Sequence, residues 1–426
     1  MRFAFFFCAV FLLLFPIQGS ENTAHELDSY LQEITTKNPA FQAAHQRWLA
    51  AQEQVEIVST LPEPTANLGI FVQEVETRVG PQKQRLGFKQ AIPWKGKRAL
   101  KGDRAQEQAN KAREAMGAIR LRLVTEFKRL YAEYYYLGKS IAITKDHLSL
   151  LKDLEMVVTE RYQTNAAQYN DLIRIQIEIE GLSDRLKTQQ ESAPPISAAM
   201  NALLSRPVGQ TLPFAPTLPD LHLPDDWSHA ELLGKVASRH PDLKVLDRQV
   251  AADRVSVALA KKNYYPDFQV GLDWINTGKS ISSTTPENGK DPIILSVGVK
   301  LPIQRKKYRA IERAKAFQVT ASEKQREDTQ AHLQASLKHG MFQLDDANRK
   351  IILYRDQIIP KAEESLNVTM SGFQTGDASY LDLINAEKVL LEFQLSFNLA
   401  ESDRLKAMAA MEAALGEPPF LPTSKE

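Results

Sequence analysis

Two stretches of the sequence decide the fold: YQTNAAQYNDL at Tyr162–Leu172 and FQTGDASYLDL at Phe373–Leu383. Each reads aromatic-Gln-Thr, then Asn or Gly, then Tyr-x-Asp-Leu, and residue n of the first stretch corresponds to residue n + 211 of the second. The same offset relates Arg98-Ala99 to Arg309-Ala310. A constant offset over so long a distance predicts that the chain contains two copies of one unit.

The duplication predicts the domain organisation. The first repeat covers residues 21–190, the second covers residues 230–416, and residues 417–426 form a C-terminal tail. The segment between the repeats, residues 191–229, contains seven prolines. Because proline breaks the interior of a helix, this segment is predicted to be an extended linker.

The first residues predict export. Arg2 precedes an uncharged run, Phe3–Phe15, and the small residues Gly19-Ser20 follow it. A basic start, a short apolar core and small residues are typical of a secretory signal peptide, here residues 1–20. The run is shorter than the ~20 residues that a membrane-spanning helix needs. Cys8, the only cysteine, lies inside the run and not at its end, so no lipid anchor is predicted.

The charge balance and the motifs exclude several classes of protein. The chain has 53 Lys and Arg against 52 Asp and Glu, and no basic run is interleaved with aromatic residues. It therefore gives no electrostatic case for binding nucleic acid. It has no glycine-rich phosphate loop and no His-Glu-x-x-His motif, and its eight histidines are scattered. The sequence thus predicts no catalytic residues, no cofactor and no metal site.

Long helices dominate each repeat. No proline occurs between Pro93 and Pro194. Within that span apolar residues recur at alternating steps of three and four, which predicts long helices packed side by side. The residues of this stripe are Phe127, Leu130, Tyr134, Leu137, Ile141, Thr144, Leu148, Leu151, Val158 and Tyr162. A helix from Lys97 to Arg161 would be ~100 Å long at ~1.5 Å per residue, which suits a tube better than a globular domain.

Each repeat also contains two short segments in which apolar and polar residues alternate. They lie near residues 67–73, 85–92, 268–274 and 293–301. In the last of them the apolar face carries Ile293, Leu295, Val297 and Val299, and the other face carries Ser296 and Gly298. Strands of ~9–11 residues with this alternation fit a transmembrane β-barrel, but the alternation also fits a half-buried hairpin of a soluble domain. Four strands are too few for a water-filled barrel, so a membrane barrel would require several chains.

These features together resemble the TolC-type outer-membrane efflux proteins, or outer membrane factors, over essentially the whole mature chain. The most specific pieces are AIPWKGKR at Ala91–Arg98 and FQTGDASYLDLIN at Phe373–Asn385. The first piece is most similar to channels of heavy-metal resistance systems. The resemblance implies a mainly α fold with a small β part. Long helical hairpins would form a tunnel, and four strands per chain would form part of a shared, trimeric, twelve-stranded β-barrel.

The resemblance also implies a location and partners. The location would be the outer membrane of a Gram-negative bacterium, with most of the mass in the periplasm. The chain would be the channel of a tripartite efflux system, conducting substrates, metal cations among them, to the outside. Its partners would be two further copies in a homotrimer, a periplasmic adaptor protein, an inner-membrane pump of the RND type, and outer-membrane lipid. The alternative is a periplasmic adaptor or a helical scaffold of an export complex, although an adaptor would lack two matched strand pairs.

The two turns between long helices are the candidate functional sites, because the tips of this family gate entry to the tunnel. Three-fold symmetry would repeat each acid there into a ring that favours cations. The candidates for this constriction are Asp171, Asp382, Asn385 and Arg174, the last as a partner to an acid. The candidates for the tip turns and adaptor docking are Thr164, Asn165, Leu172, Thr375, Gly376 and Leu383. All are equally compatible with ordinary solvated helix ends.

Overall fold

The computed structural model describes residues 19–164, 167–219, 221–222, 231–234, 236, 240–282, 284, 286–417 and 421–422. The predicted signal peptide, apart from its last two residues, and Asn165 lie outside these ranges. The main helices are α1 (Gly19–Lys37), α2 (Pro39–Ser59), α3 (Lys97–Gln163), α4 (Tyr169–Leu204), α5 (Pro241–Lys262), α6 (Arg305–Leu353), α7 (Ile359–Thr375) and α8 (Tyr380–Leu415). The strands are β1 (Thr65–Val75), β2 (Gln82–Ile92), β3 (Leu221–His222), β4 (Asp267–Thr277), β5 (Ile293–Lys300) and β6 (Leu421–Pro422).

The chain divides into two compact units that do not coincide with the two repeats. The helical unit comprises residues 1–41, 120–236 and 333–426, and the strand unit comprises residues 42–119 and 237–332. Each repeat therefore contributes to both units. Its strand pair belongs to the strand unit, and its helical hairpin belongs to the helical unit.

The strand unit is built on a four-stranded antiparallel sheet. Its order is β1-β2-β4-β5, so the strand pair of the first repeat joins that of the second through β2 and β4. Leu86 of β2 lies opposite Trp274 of β4 in this central pairing. The predicted fold class, long helices with four short strands, is confirmed. The β-branched residues of β5, with sequence IILSVGVK, are the types that pack well on a pleated surface.

The core of the helical unit follows the predicted heptad stripe. Every stripe residue from Phe127 to Val158 is buried. Leu148, Leu151 and Val158 share one apolar cluster with residues of α4, α7 and α8. Tyr162 is the exception, because it lies exposed in the last turn of α3. Apolar residues at this spacing thus hold α3 against its neighbours, as coiled-coil geometry requires.

The first part of the predicted linker is helical, so that prediction is wrong for residues 191–204. Helix α4 continues through Pro194 and Pro195 to Leu204. An internal proline costs a helix about 3 kcal/mol, but the turns that follow are held by burial and by side-chain hydrogen bonds. The amide of Asn201 donates to the carbonyl of Gln210 at 2.6 Å. The number of prolines alone did not reveal these compensating contacts.

Candidate membrane face and helical turns

One face of the sheet is apolar across all four strands. Residues that pair directly across neighbouring strands lie on the same face. Two such rows are Leu68–Leu86–Trp274–Ile293 and Ala66–Phe88–Leu272–Leu295. The predicted lipid-facing residues Ile293, Leu295, Val297 and Val299 all lie on this face and are exposed to solvent. A contiguous exposed apolar face of this width marks a surface that contacts either protein or lipid.

The opposite face of the sheet is polar and closely packed. Ser296 and Gly298 of β5 lie on it, as their alternation with Val297 predicts. The guanidinium of Arg85 donates to the buried carboxylate of Asp273, with Nε 3.1 Å from Oδ1. A side chain at Gly87 would place its Cβ 2.2 Å from Oδ1 of Asp273, so only glycine leaves room for this ion pair.

Both outer edges of the sheet are open. Strands β1 and β5 each pair with one neighbour, and neither pairs with a second strand among the described residues. An open edge presents unpaired backbone N–H and C=O groups, which pair readily with another strand. In an antiparallel four-stranded sheet the two outer strands run in opposite directions. The β1 edge of one copy is therefore complementary to the β5 edge of another.

The AIPWKGKR segment joins β2 to α3 and fastens both to β4. Asp267, the first residue of β4, accepts hydrogen bonds from the backbone N–H of Trp94 at 2.9 Å and from Nζ of Lys97 at 2.8 Å. The indole of Trp94 stacks on Tyr265 and on Phe268. Clusters of aromatic residues at the end of a strand are typical of the interfacial girdles of membrane barrels.

The turn between α7 and α8 is closed by backbone hydrogen bonds. Gly376 has φ 90°, a left-handed conformation that favours glycine. The N–H groups of Asp377 and Ala378 both donate to the carbonyl of Gly372, at 2.7 and 3.1 Å. The predicted turn residue thus has the conformation that its identity indicates.

Both predicted tip acids cap helices. Asp382 accepts hydrogen bonds from the hydroxyl and the backbone N–H of Ser379, at 2.6 and 3.2 Å, and these two bonds lower the pKa of Asp382. Asp171 accepts in the same way from the backbone N–H of Gln168, at 3.2 Å. Both acids are the third residue of their helix and satisfy N–H groups that the helix leaves free.

Arg161, which the sequence analysis did not single out, links the two turns. Its guanidinium lies 4.3 Å from the ring centre of Phe373, a cation–π contact. It also donates to the backbone carbonyl of Gln374 at 2.9 Å. The available signal was a basic residue in the last turn of α3, next to the repeated Gln-Thr pair.

Comparison with known proteins relates this geometry to a family. Residues 232–417, which span nearly all of the second repeat, match the family model of the outer membrane efflux protein. The match makes the second repeat similar to this family. Proteins of this family are channels and not enzymes.

The sequence relative and the solved structures that resemble this chain are distant in sequence, and the solved structures are close in fold. It is 23% identical over 190 residues to the cobalt-zinc-cadmium resistance protein CzcC of Cupriavidus metallidurans, a match that covers 44% of this chain and only 42% of CzcC. A membrane protein from Pseudomonas aeruginosa has a TM-score of 0.79 at 17% identity, covering 92% of this chain and 90% of that one. The outer membrane protein VceC of Vibrio cholerae has a TM-score of 0.74 at 18% identity, covering 93% and 98%.

The other predicted tip residues differ in their surroundings. Asn385 and Arg174 are exposed. The pairing of Arg174 with an acid stays a prediction, and Asp171 and Asp382 accept hydrogen bonds from helix N–H groups. The hydroxyls of Thr164 and Thr375 donate to carbonyls of their own helices.

Leu383 is not an exposed docking residue, which corrects the prediction from the sequence. It is fully buried in the apolar cluster of the helical unit. Leu172, its counterpart in the first repeat, is partly buried and packs against the same cluster. Both leucines therefore stabilise the hairpins from within.

A buried polar cluster lies among the apolar residues of the helical unit. Nδ1 of His147 is 2.6 Å from Oε1 of Glu387, and its Nε2 is 3.0 Å from Oε1 of Gln394. Burial opposes the positive charge of His147, but the bonds to Glu387 and Gln394 and the negative charges of Glu387 and Asp146 outweigh it and raise the pKa of His147. The sequence analysis counted this histidine among the eight scattered ones and predicted no site for it.

Two features are absent from the part of the chain that the structure describes. None of its helices is long and apolar enough to cross a bilayer. No three His, Cys, Asp or Glu side chains are grouped there so as to hold a metal ion.

Proposed function

We propose that the protein is the outer-membrane channel of a tripartite efflux system in a Gram-negative bacterium. In this role it conducts substrates from an inner-membrane pump and a periplasmic adaptor to the outside. The observation that carries the proposal is the sheet of the strand unit. One face of this sheet is exposed and apolar, the other is polar, and both edges are open. Membrane barrels have this division between a lipid face and an aqueous lumen.

The channel requires three copies of the chain. An eight-stranded barrel has an interior that side chains fill, so four strands cannot enclose a water-filled pore. Three copies joined β1 to β5 would close a twelve-stranded barrel with no free edge, and closure satisfies every backbone group within the bilayer. Ile293, Leu295, Val297 and Val299 would then contact lipid, while Ser296 and Gly298 would line the lumen. Most of the mass, the helical part, would lie in the periplasm.

We further propose that the cargo includes divalent metal cations. The relative CzcC is named for resistance to cobalt, zinc and cadmium. A duct needs no resident metal site, because it conducts an ion that the pump delivers. Asp171 and Asp382, repeated by three-fold symmetry, would favour cations at the tunnel entrance. The tip residues Thr164, Thr375 and Gly376 would form the surface that docks on the adaptor, with a pump of the RND type behind it.

Two experiments test the proposal. In planar bilayers the purified protein should form discrete channels, and a complete absence of conductance would contradict the channel role. For the cargo, a strain lacking the gene should become sensitive to Co²⁺, Zn²⁺ or Cd²⁺, and the gene on a plasmid should restore growth. Sensitivity to dyes and detergents with unchanged metal tolerance would contradict the metal cargo and leave the channel role intact.

A further inference from the structure

Two segments of the strand unit carry a local excess of positive charge. Residues 95–102 contain four basic residues and no acid, and residues 300–311 contain five basic residues and no acid. Over the whole chain the two signs are balanced, with 53 Lys and Arg against 52 Asp and Glu. We call residues 95–102 and 300–311 the two basic segments. Their exposed basic residues are Lys95, Arg98, Lys101, Lys300, Arg305, Lys306, Lys307 and Arg309.

Both basic segments lie at the same end of the sheet. Ile92 at the end of β2 and Val299 near the end of β5 pair with one and the same residue of β4, Phe268. Neighbouring strands are about 4.8 Å apart, so Ile92 and Val299 lie about 10 Å from each other. Helices α3 and α6 begin a few residues further on, at Lys97 and Arg305. The two basic segments are therefore neighbours in space, although they belong to different repeats.

The apolar face of the sheet leads directly into the basic segments. Trp94 stacks on Phe268 of the apolar face, with ring centres 5.8 Å apart, and Lys95 follows it in the chain. Leu301 and Ile303, both strongly exposed, extend the apolar residues of β5 up to the start of α6. A surface that passes from apolar through aromatic to basic within a few residues matches the boundary between lipid chains and lipid headgroups.

Two cations at this end of the sheet lie over aromatic rings. Nζ of Lys262 is 5.5 Å from the ring centre of Tyr265, and the guanidinium of Arg305 is 5.7 Å from that of Tyr264. The ring of Tyr265 in turn stacks on Trp94. A cation–π contact positions a cation without cancelling its charge, so both cations can still attract an anion.

Both repeats have a lysine and an arginine at corresponding positions beyond their strand pair. With the offset of 211, Lys95 corresponds to Lys306 and Arg98 corresponds to Arg309. All four side chains are exposed. Lysine and arginine are the residues that pair with phosphate groups, arginine through two parallel hydrogen bonds. The duplication therefore supplies two similar basic sites to the same end of the sheet.

The positive charges are unfavourable for the helices that carry them. Neither α3 nor α6 has an acid in its first turn, although α3 begins with Lys97-Arg98 and α6 with Arg305-Lys306-Lys307. The N-terminus of a helix carries a partial positive charge, so basic residues there destabilise it. Three other helices have an acid in the first turn instead, namely Asp171 in α4, Asp242 in α5 and Asp382 in α8. An anion bound beside the first turns of α3 and α6 would offset this repulsion.

We infer that the two basic segments bind the phosphate groups of anionic phospholipids in the periplasmic leaflet of the outer membrane. The inference rests on the proposed channel, in which the end of the sheet joined to the long helices faces the periplasm. Lys95, Arg98, Lys306 and Arg309 pair with the lipid phosphates, and Trp94 lies where the headgroups meet the acyl chains. A headgroup with a net negative charge is preferred to a zwitterionic one, because only the former neutralises the basic segments.

Quenching of tryptophan fluorescence by brominated lipid measures which lipid contacts Trp94. The substitutions Trp48→Phe, Trp227→Phe and Trp274→Phe leave Trp94 as the only tryptophan of the full chain. The protein is reconstituted in vesicles of brominated phosphatidylcholine with increasing amounts of unbrominated phosphatidylglycerol. We expect phosphatidylglycerol to bind at Trp94 about fivefold more strongly than phosphatidylcholine, the attraction of roughly one basic residue for an anionic lipid surface.

A second reporter controls for position on the sheet. A variant that keeps only Trp274 reports on the opposite end of the apolar face, where Trp274 pairs with Ile293. It should show no preference between the two lipids. An equal preference at Trp94 and Trp274, or none at Trp94, would overturn the inference. This comparison needs no change in the basic segments, so it holds even where a charge variant fails to fold.

Charge variants identify the residues responsible. Lys95→Gln with Lys306→Gln should reduce the preference at Trp94 to less than about twofold, because each lysine attracts the anionic lipid. Lys83→Gln with Lys279→Gln is the matched control, since it removes the same two charges from exposed positions at the other end of the sheet. It should leave the preference unchanged. Loss of the preference in both variants would show a diffuse attraction to the vesicle surface and would overturn the site.

Two further measurements separate the remaining outcomes. Potassium phosphate that abolishes the preference, where potassium chloride of equal ionic strength does not, would show that the basic segments take free phosphate and would overturn the lipid assignment. Planar-bilayer recordings of the same protein test the proposed channel. A protein that conducts but shows no lipid preference would overturn this inference alone, whereas a protein that forms no channels would overturn the proposed function.

Discussion

His147 makes the stability of the helical unit depend on pH. Both of its ring nitrogens face oxygen atoms, of Glu387 and of Gln394, so the protonated ring donates to both. Its pKa is raised in the folded chain, because these bonds and the charges of Glu387 and Asp146 outweigh burial. The stabilisation is then fully present below the unfolded pKa of ~6.5, and it is lost as the pH rises through the folded pKa.

We therefore expect the melting temperature in detergent to be lower at pH about 8.5 than at pH about 5.5, because His147 loses its proton over this range. Circular dichroism at the two pH values measures the change. His147→Gln should flatten this dependence, whereas His332→Gln should leave it unchanged, because His332 is exposed on the surface of α6. An identical dependence in wild type and His147→Gln would show that another group is responsible.

The two tip acids combine a structural role with a proposed electrostatic one. Asp171 and Asp382 bind helix N–H groups, and this role needs an oxygen atom but not a charge. Rings of acids at a tunnel entrance would favour cations, and this role needs the charge. Substitution by asparagine separates the two roles, because the side-chain oxygen remains and the charge is removed.

We expect the double variant Asp171→Asn with Asp382→Asn to raise single-channel conductance and to weaken cation preference. Asp171→Ala with Asp382→Ala should do the same, since both variants remove the charges. Planar-bilayer recordings in a salt gradient measure both quantities. An effect of the alanine variant alone would assign it to the lost helix caps, and no effect of either would show that the acids do not line the path of the ions.

Strand β5 gives the sharpest test at the level of an element. Val297 and Ser296 are adjacent but lie on opposite faces of the sheet, opposite Val270 and Gly271 of β4. An arginine on a lipid face near the midplane costs about 2–4 kcal/mol, whereas one that faces water costs far less. Val297→Arg should therefore reduce folded protein in outer-membrane fractions much more than Ser296→Arg. The reverse order would mean that the faces are exchanged, and equal tolerance would mean that β5 does not contact lipid.

Elements with a regular period could be predicted from the sequence. The stripe from Phe127 to Val158 is buried, and the alternating residues of β5 lie on the two faces of the sheet as predicted. Both patterns could be predicted because successive side chains of a helix or strand are related by a fixed angle. The helix through Pro194 could not be predicted in this way. It is maintained by contacts from distant residues, such as the amide of Asn38 on the carbonyl of Leu203.

The candidate site was only partly predictable for the same reason. The turn at Gly376 could be predicted from the glycine itself, because the left-handed conformation that the turn needs there favours glycine. The Ser-x-x-Asp spacing of Ser379 and Asp382 is also a local signal, typical of a capping box. The pairing of His147 with Glu387 joins residues 240 positions apart, and no local pattern reports it.

At the scale of the whole molecule, the duplication places one repeat's strands beside the other's and leaves two edges open. The four-stranded sheet consists of two hairpins side by side, β1–β2 and β4–β5. Its outer strands, β1 and β5, therefore belong to different repeats. The β1 edge of one copy can therefore pair with the β5 edge of a second copy. The two open edges of the sheet favour a closed ring of identical chains over a monomer.

We expect the full chain to be a stable trimer in detergent and to precipitate when the detergent is removed. Three chains are needed to close a barrel with an open lumen, and the exposed apolar face of the sheet cannot remain in water without a cover. Multi-angle light scattering in detergent measures the number of chains, and turbidity during detergent removal measures solubility. A monomer in detergent at micromolar concentration would contradict the shared barrel. A trimer that stays soluble without detergent would instead contradict the membrane location, because its apolar faces would then have to be buried against one another inside the assembly.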